Sequence, residues 1–393
     1  MQLKITHFIL IKLIILLFTS CGSQMSYNSK LVVGLNENID SDLVMDECAI
    51  DEDILLQSES GNSYNFMRLR SYLGSLNVII KNNPRKYCVD NQRVLIDNII
   101  QSAKKSSDIV TNQSFNDSFY GWVVTQANKK NRSTINKEIP LFESYSFFYI
   151  TQFLYILKEN DWIEKSKENR DWWEGVLTFV VEHEWKKWYE RGYKFKGAPY
   201  RYFLRSRTHM GSHWAGIAMY LAKLTSDSEV KEQCVKLKND YDLLLRRNFK
   251  TDSKHTSAYI WNATYDNVTE TEAIETHPSI IQDVSHGNHV VSYIVAAYEM
   301  GDPNWNDKDI KMLCNTFKYI VYDRKTNTFA DNLDGSVHLE RPERGHFVAD
   351  GWIKLSRYDK EVAAIFKQSL ENELIKKYNR ESKLRTSLMI FTD

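Results

Sequence analysis

The sequence is short of chain breakers. Six prolines and 15 glycines are spread over 393 residues, and no hairpin-and-strand rhythm runs through them. That excludes a sandwich or barrel of many short strands. A surplus of one charge is lacking too: 51 basic residues meet 51 acidic ones. Without a basic field, nucleic acid is not an expected partner, and an anionic ligand needs a local cationic site. The five cysteines form no CxxC pair and no HExxH occurs, so two familiar zinc signatures are missing. No fixed repeat period supports an α-solenoid. Aromatic residues are plentiful, with 10 Trp, 22 Tyr and 18 Phe. Large cores and sugar-binding clefts both use them.

Residues 1–20 read MQLKITHFILIKLIILLFTS, with Lys4 and Lys12, no acid, and an apolar stretch too short to span a membrane. Small residues then precede Cys21. This resembles a bacterial lipoprotein signal, which implies cleavage before Cys21 and lipidation of that cysteine. The expected location is the bacterial cell envelope, lipid-anchored, periplasmic or surface-facing. An ordinary secretory signal is the alternative. Residues 21–60 are polar and acidic and read as a tether. An exported chain permits disulfides, but spacing cannot pair Cys48 or Cys88. Cys234 and Cys314 lie in helical patterns and read as buried small apolar residues.

From residue 61 to 393 the pattern is helical nearly throughout. "YNFMRLRSYLGSLNVII", "ESYSFFYITQFLYILKEN" and "THMGSHWAGIAMYLAKL" carry apolar residues at three- and four-residue spacing. Two kinds of helix alternate. Some are charged on one side, such as 227–249 and 359–378; others are apolar nearly all round after a polar start, such as 143–157, 209–224 and 285–300. Shielded inner helices alternating with amphipathic outer ones suit an all-α (α/α) toroid, a complete or incomplete barrel of helical hairpins. "VEHEWKKW" at 181–188 reads as part of an outer amphipathic helix.

The polar starts are the candidate site. In such a ring the inner N-termini gather at one mouth, where free N–H groups favour an anion. On the helix near 285, His286, His289 and Tyr293 share a face, with Asn288 beside them and Asp283 or Ser285 as the cap. On the helix near 209, His209, His213, Gly216 and Tyr220 share a face, with Trp214 beside them and Arg205 and Arg207 just upstream. Glu143, Tyr145 and Tyr149 open a third inner helix. Near the C-terminus, "ERPERGHFVADGW" offers Arg341, Arg344 and His346. The pairs HxxH and HxxxH invite a zinc reading, but an obvious third ligand is missing. No cofactor is expected; a zinc or calcium ion is left open.

"THMGSHWAGIAMYLAKL" resembles a helix of (α/α)-toroid polysaccharide lyases, especially alginate-lyase-like ones, where Asn-Asn-His-x-Tyr-Trp leads into a similar Ala-rich run. "SHGNHVVSYIVAAYEMG" is similar to a second cleft helix of those enzymes. The resemblance covers about residues 140–300. Aligned on Trp214, His209 and Met210 fall under the two asparagines, Gly211 under the histidine and His213 under the tyrosine. Roles therefore do not carry over position by position.

The resemblance implies β-elimination on a uronate-containing polysaccharide or oligosaccharide. That chemistry needs a base near C5, an acid for the leaving oxygen, and a cation or amide on the carboxylate. His213 or His289 is the expected base and Tyr293 the acid or base. Arg207 or Arg344 with Asn288 is expected on the carboxylate. His209, His286, Glu143, Tyr149, His346 and Trp214 are expected around the substrate. A glycoside hydrolase on the same fold is the second reading, with Glu143, Asp283 and Asp350 as the available acids. A lipid-anchored glycan-binding protein using Trp172, Trp173 and Trp214 is the third.

Overall fold

The periodic segments become helices in the computed structural model, which describes residues 48–82, 84–109, 115–194, 197–265, 280–337, 343–348, 350–369 and 372–378. The protein is mostly helical. Cys21, the signal and Arg341 lie outside the described residues.

The helices are α1 (Glu52–Glu59), α2 (Phe66–Asn82), α3 (Lys86–Gln101), α4 (Pro140–Glu159), α5 (Lys167–Phe179), α6 (Lys187–Lys194), α7 (Thr208–Leu224), α8 (Ser228–Asn248), α9 (Val284–Glu299), α10 (Asp307–Thr316), α11 (Lys360–Ser369) and α12 (Glu373–Tyr378). Three antiparallel pairs of two-residue strands make up the described sheet. Local chemistry sets several starts. Pro140 opens α4, where its missing N–H costs nothing. Asp227 accepts from the Glu229 and Val230 amides, and Asn306 and Asp309 form a capping box on α10.

Part of the expected tether is folded. Cys48 is joined to Cys88 of α3 by a disulfide, and α1 packs on α2 and α3. The sequence hides this because the helix is short and acidic, and the bridge spans 40 residues. Cys234 and Cys314 are buried thiols. Residues 181–188 depart from a regular helix as well: Val180–Lys186 is a π-helical stretch between α5 and α6.

α4, α7 and α9 are buried on nearly every side, whereas α8 exposes much of its charged surface. α2 packs on α4, α4 on α7, and α7 on α9. α9 also meets α2, through Arg70 with His289 and Lys81 with Glu299. Those contacts join second turn to second turn and last turn to last turn, so α2 and α9 run parallel. Tyr145 with His213, and Gln152 with Asn77 and Tyr220, place α4 and α7 the same way. α3, α5 and α8 pack outside α2, α4 and α7. The α4–α7 approach needs Gly216: a Cβ there would lie 2.2 Å from the Phe148 ring.

Candidate functional site

Four parallel starts bring polar side chains to one place. Asp283 caps α9: its Oδ1 accepts from the His286 amide at 3.0 Å, and its Oδ2 meets His286 Nδ1 at 2.7 Å. Burial pushes this carboxyl up, but the His286 charge and hydrogen bonds more than offset that and hold it well below the usual range. The His286 ring stacks on His209 of α7 with centroids 4.2 Å apart. One turn further in, His213 and His289 face each other at 4.6 Å, and Tyr145 of α4 meets His213 edge-on at 4.6 Å.

The centre of this cluster is Arg70 of α2. Its guanidinium lies 4.6 Å over the Tyr145 ring, and Nη1 is 2.9 Å from His289 Nε2. Guanidinium only donates, so His289 accepts at Nε2 and carries its proton on Nδ1. That Nδ1 faces Asp350 Oδ2 at 3.3 Å, off the geometry of a formed hydrogen bond. Tyr149 donates to the other oxygen, Asp350 Oδ1.

Burial is the largest influence on the three inner rings. It takes His209 and His213 well below the ordinary imidazole value, and His289 down to about 3. Neighbouring basic groups add to it, since none of them favours a further proton nearby: His286 beside His209, His289 beside His213, and Arg70 beside His289. These rings are neutral near pH 7. Asp350 is held well below the usual carboxylate range despite its burial, by the His289 ring N–H and by the Lys354 and Arg70 charges. Burial raises the Tyr145 hydroxyl, with Arg70 opposing. Buried and without a hydrogen-bond partner among the described residues are His209 Nδ1, His213 Nε2 and Arg70 Nε.

The expected residues divide. His209, His213, His286, His289 and Tyr149 come together. Arg207 stands at the mouth as the residue before α7, and its charge helps depress His209. Asn288 is a clamp rather than a ligand for substrate. Its Oδ1 accepts from Gly351 N at 2.9 Å and Trp352 N at 3.1 Å, and its Nδ2 donates to Phe347 O at 2.5 Å. This pins the turn carrying Asp350. A Cβ on Gly351 would lie 1.9 Å from Asn288 O, so only glycine fits there.

Four expectations are corrected. Tyr293 points outward and donates to Asp242 of α8 at 2.7 Å. Glu143 is fully buried on the far side of α4, accepting from Lys187 Nζ and Trp188 Nε1 at 2.7 Å each. Trp214 is core, 1% exposed, packed on Phe203. His346 is buried edge-on to Phe329, in the short turn Arg344–His346 that also carries Arg344 and packs on α9. In each case the helix or turn buries several faces, and periodicity does not say which face meets the centre.

Arg70 was missed. It sits in the second turn of α2, where Arg68 and Arg70 are the only charges among the opening residues "FMRLR". Tyr145 on the third polar start and Asp350 among the available acids carry no local sign of these contacts. Trp172 and Trp173 divide as expected, one half-buried and the other buried.

Among the described residues, no group of three or more His, Cys, Asp or Glu is arranged to hold a metal ion, and no helix is long and apolar enough to cross a membrane. No protein-family model matches this chain, and no curated protein or solved structure matches it either.

Proposed function

We propose that this protein is a polysaccharide lyase that cleaves a uronate-containing glycan by β-elimination, on a ring of helical hairpins whose inner helices are α2, α4, α7 and α9. The observation that carries the reading is the buried, unpartnered Nε2 of His213, set between Tyr145 and His289 with Arg70 alongside. A neutral imidazole with an open nitrogen can take the C5 proton. The Arg70 guanidinium suits the uronate carboxylate, whose neutralisation acidifies that proton. Electrons of the C5–H bond form the C4–C5 double bond as the C4–O bond breaks. Tyr145 supplies the proton to the leaving oxygen. His289 and Asp350 hold Arg70 and the ring orientation, and His209, His286 and Arg207 line the approach.

Hydrolysis is supported less well. A glycosidase needs one protonated carboxylic acid beside the bond. Asp283 and Asp350, the carboxyls at the cluster, are both held ionised. The Cys48–Cys88 disulfide suits an oxidising compartment, which supports export; the anchor through Cys21 in the cell envelope belongs to the same proposal.

The test is a panel of uronate polymers and oligosaccharides incubated with purified protein. Elimination raises ultraviolet absorbance through unsaturated ends. New reducing ends without that rise mean hydrolysis. Binding without either change means a glycan-binding protein. Membrane fractionation of wild type and Cys21→Ser tests the anchor: wild type recovered soluble, with an unmodified N-terminus, rules it out.

A further inference from the structure

A small open cleft lies at the opposite end of the central helices. Asn77 and Lys81 of α2, Gln152 of α4, Glu299 of α9, and Lys354 and Arg357 line it. Glu299 is ten residues beyond His289, about 15 Å along the helix axis, so the rim lies away from the histidine rings, while Lys354 at the floor is 4.0 Å from Asp350.

Three cations share the cavity with one carboxylate. Glu299 accounts for two of them: Lys81 Nζ and Arg357 Nη1 each lie 2.9 Å from its oxygens, and Tyr358 adds a hydrogen bond of 2.8 Å. Burial pushes Glu299 up, but Arg357 and Lys81 more than offset it and keep the group ionised. The ends of α2 and α9 also place partial negative charge here, which Lys81 offsets at the rim.

Lys354 is paired more loosely, with the Asp350 charge beside it and the Tyr149 ring 5.5 Å from its Nζ. Its side chain is only 10% exposed, and its Nζ donates to Ser292 Oγ at 2.5 Å. Asp350 is 4.0 Å away and already accepts from Tyr149. An ammonium has three donors, and among the described residues Lys354 forms one hydrogen bond. A buried cation with spare donors beside an open cavity is suited to capturing an anion.

We propose that this cavity binds a small oxyanion, a carboxylate or phosphate-type group, with Lys354 at its floor and Lys81 and Arg357 at its rim. The proposal does not rest on the elimination reading, although Lys354 neighbours Asp350.

The full chain is titrated calorimetrically with sodium phosphate, sodium acetate and sodium glucuronate, the last separating a sugar acid from a simple ion. Saturable binding of at least one probe is expected. Lys354→Met should weaken it at least about tenfold, a difference readily measured, while His289→Ala keeps it. If Lys354→Met does not fold, Lys81→Gln and Arg357→Gln at the rim should each weaken binding severalfold. The proposal is overturned by no saturable binding with any probe. It is equally overturned by affinity unchanged in every cavity variant, or by binding that disappears with His289→Ala, which would put the ion among the histidines.

Discussion

Arg70 and His289, 219 positions apart in the chain, meet with Nη1 2.9 Å from Nε2. This one contact sets the His289 tautomer and places a permanent charge beside a buried ring. Arg70→Ala should lower turnover by about 10²–10³-fold, the range for losing a positioned donor at an active site. It should also move the His289 ring up from about 3 toward the ordinary value, because one of the influences depressing it is gone. Ring ¹⁵N shifts followed against pH measure this. A ring that titrates unchanged would show that Arg70 does not set its protonation.

Acid should unfold the protein earlier than carboxylates alone require. His209, His213 and His289 are all depressed in the fold from an ordinary value of 6.5. Their contribution is present above that value and is lost as pH falls toward the folded values. Three protons taken up on unfolding give a slope of about 4 kcal/mol per pH unit. Urea midpoints between pH 7 and 4 test it, and a flat profile across that window contradicts the buried neutral rings.

Tyr293 and Tyr145 should behave oppositely. Tyr293→Phe removes a hydrogen bond to Asp242 in the α8–α9 packing, costing about 1–3 kcal/mol with turnover kept. Tyr145→Phe keeps the ring packed on His213 and removes the proposed proton donor, so turnover should fall by about 10²–10⁴-fold. Thermal unfolding and rate constants on one substrate decide between them. Equal turnover in both variants would remove Tyr145 from the chemistry.

Asn288→Ala should damage both properties. It strips the buried Gly351 and Trp352 amides of their acceptor, at about 3 kcal/mol for buried groups left unmet. The turn carrying Asp350 then loosens, and activity drops with it. An unchanged denaturation midpoint would show that the clamp contributes nothing.

Glu184 is a fully buried acid next to Glu143 and Lys187. Burial, then the Glu143 charge, raises its carboxyl well above the ordinary 4.5. A raised group adds stability below its unfolded value, and this is lost as pH rises toward the folded one. Glu184→Gln mimics the protonated form and should gain on wild type as pH rises above about 4.5, the ordinary value. Denaturation at pH 4 and pH 8 measures the gap, and a gap that shrinks with pH would mean that Glu184 is ionised in the fold.

Much of this was legible locally. Asp283 at the head of α9 and the three- and four-residue spacing of His286–His289 and His209–His213 come from near neighbours in the chain. A cap and a shared helical face depend only on residues within a turn of each other. The apolar-all-round pattern likewise marked α4, α7 and α9 as buried.

Helices apolar all round carry no stripe that says which side faces which neighbour. Tyr293 follows His289 at helical spacing, yet it turns to Asp242 of α8 because α9 is packed on both sides. Glu143 opens α4 in the sequence but finds Lys187 on the far side. Arg70 reads as one charge on an ordinary amphipathic helix until α2 closes against α9. The sequence by itself determined the helices, their caps and the side chains that share a face. Only the tertiary structure decided which faces meet, because contacts between residues 44 to 219 positions apart are set by packing volume and buried charge rather than by local spacing.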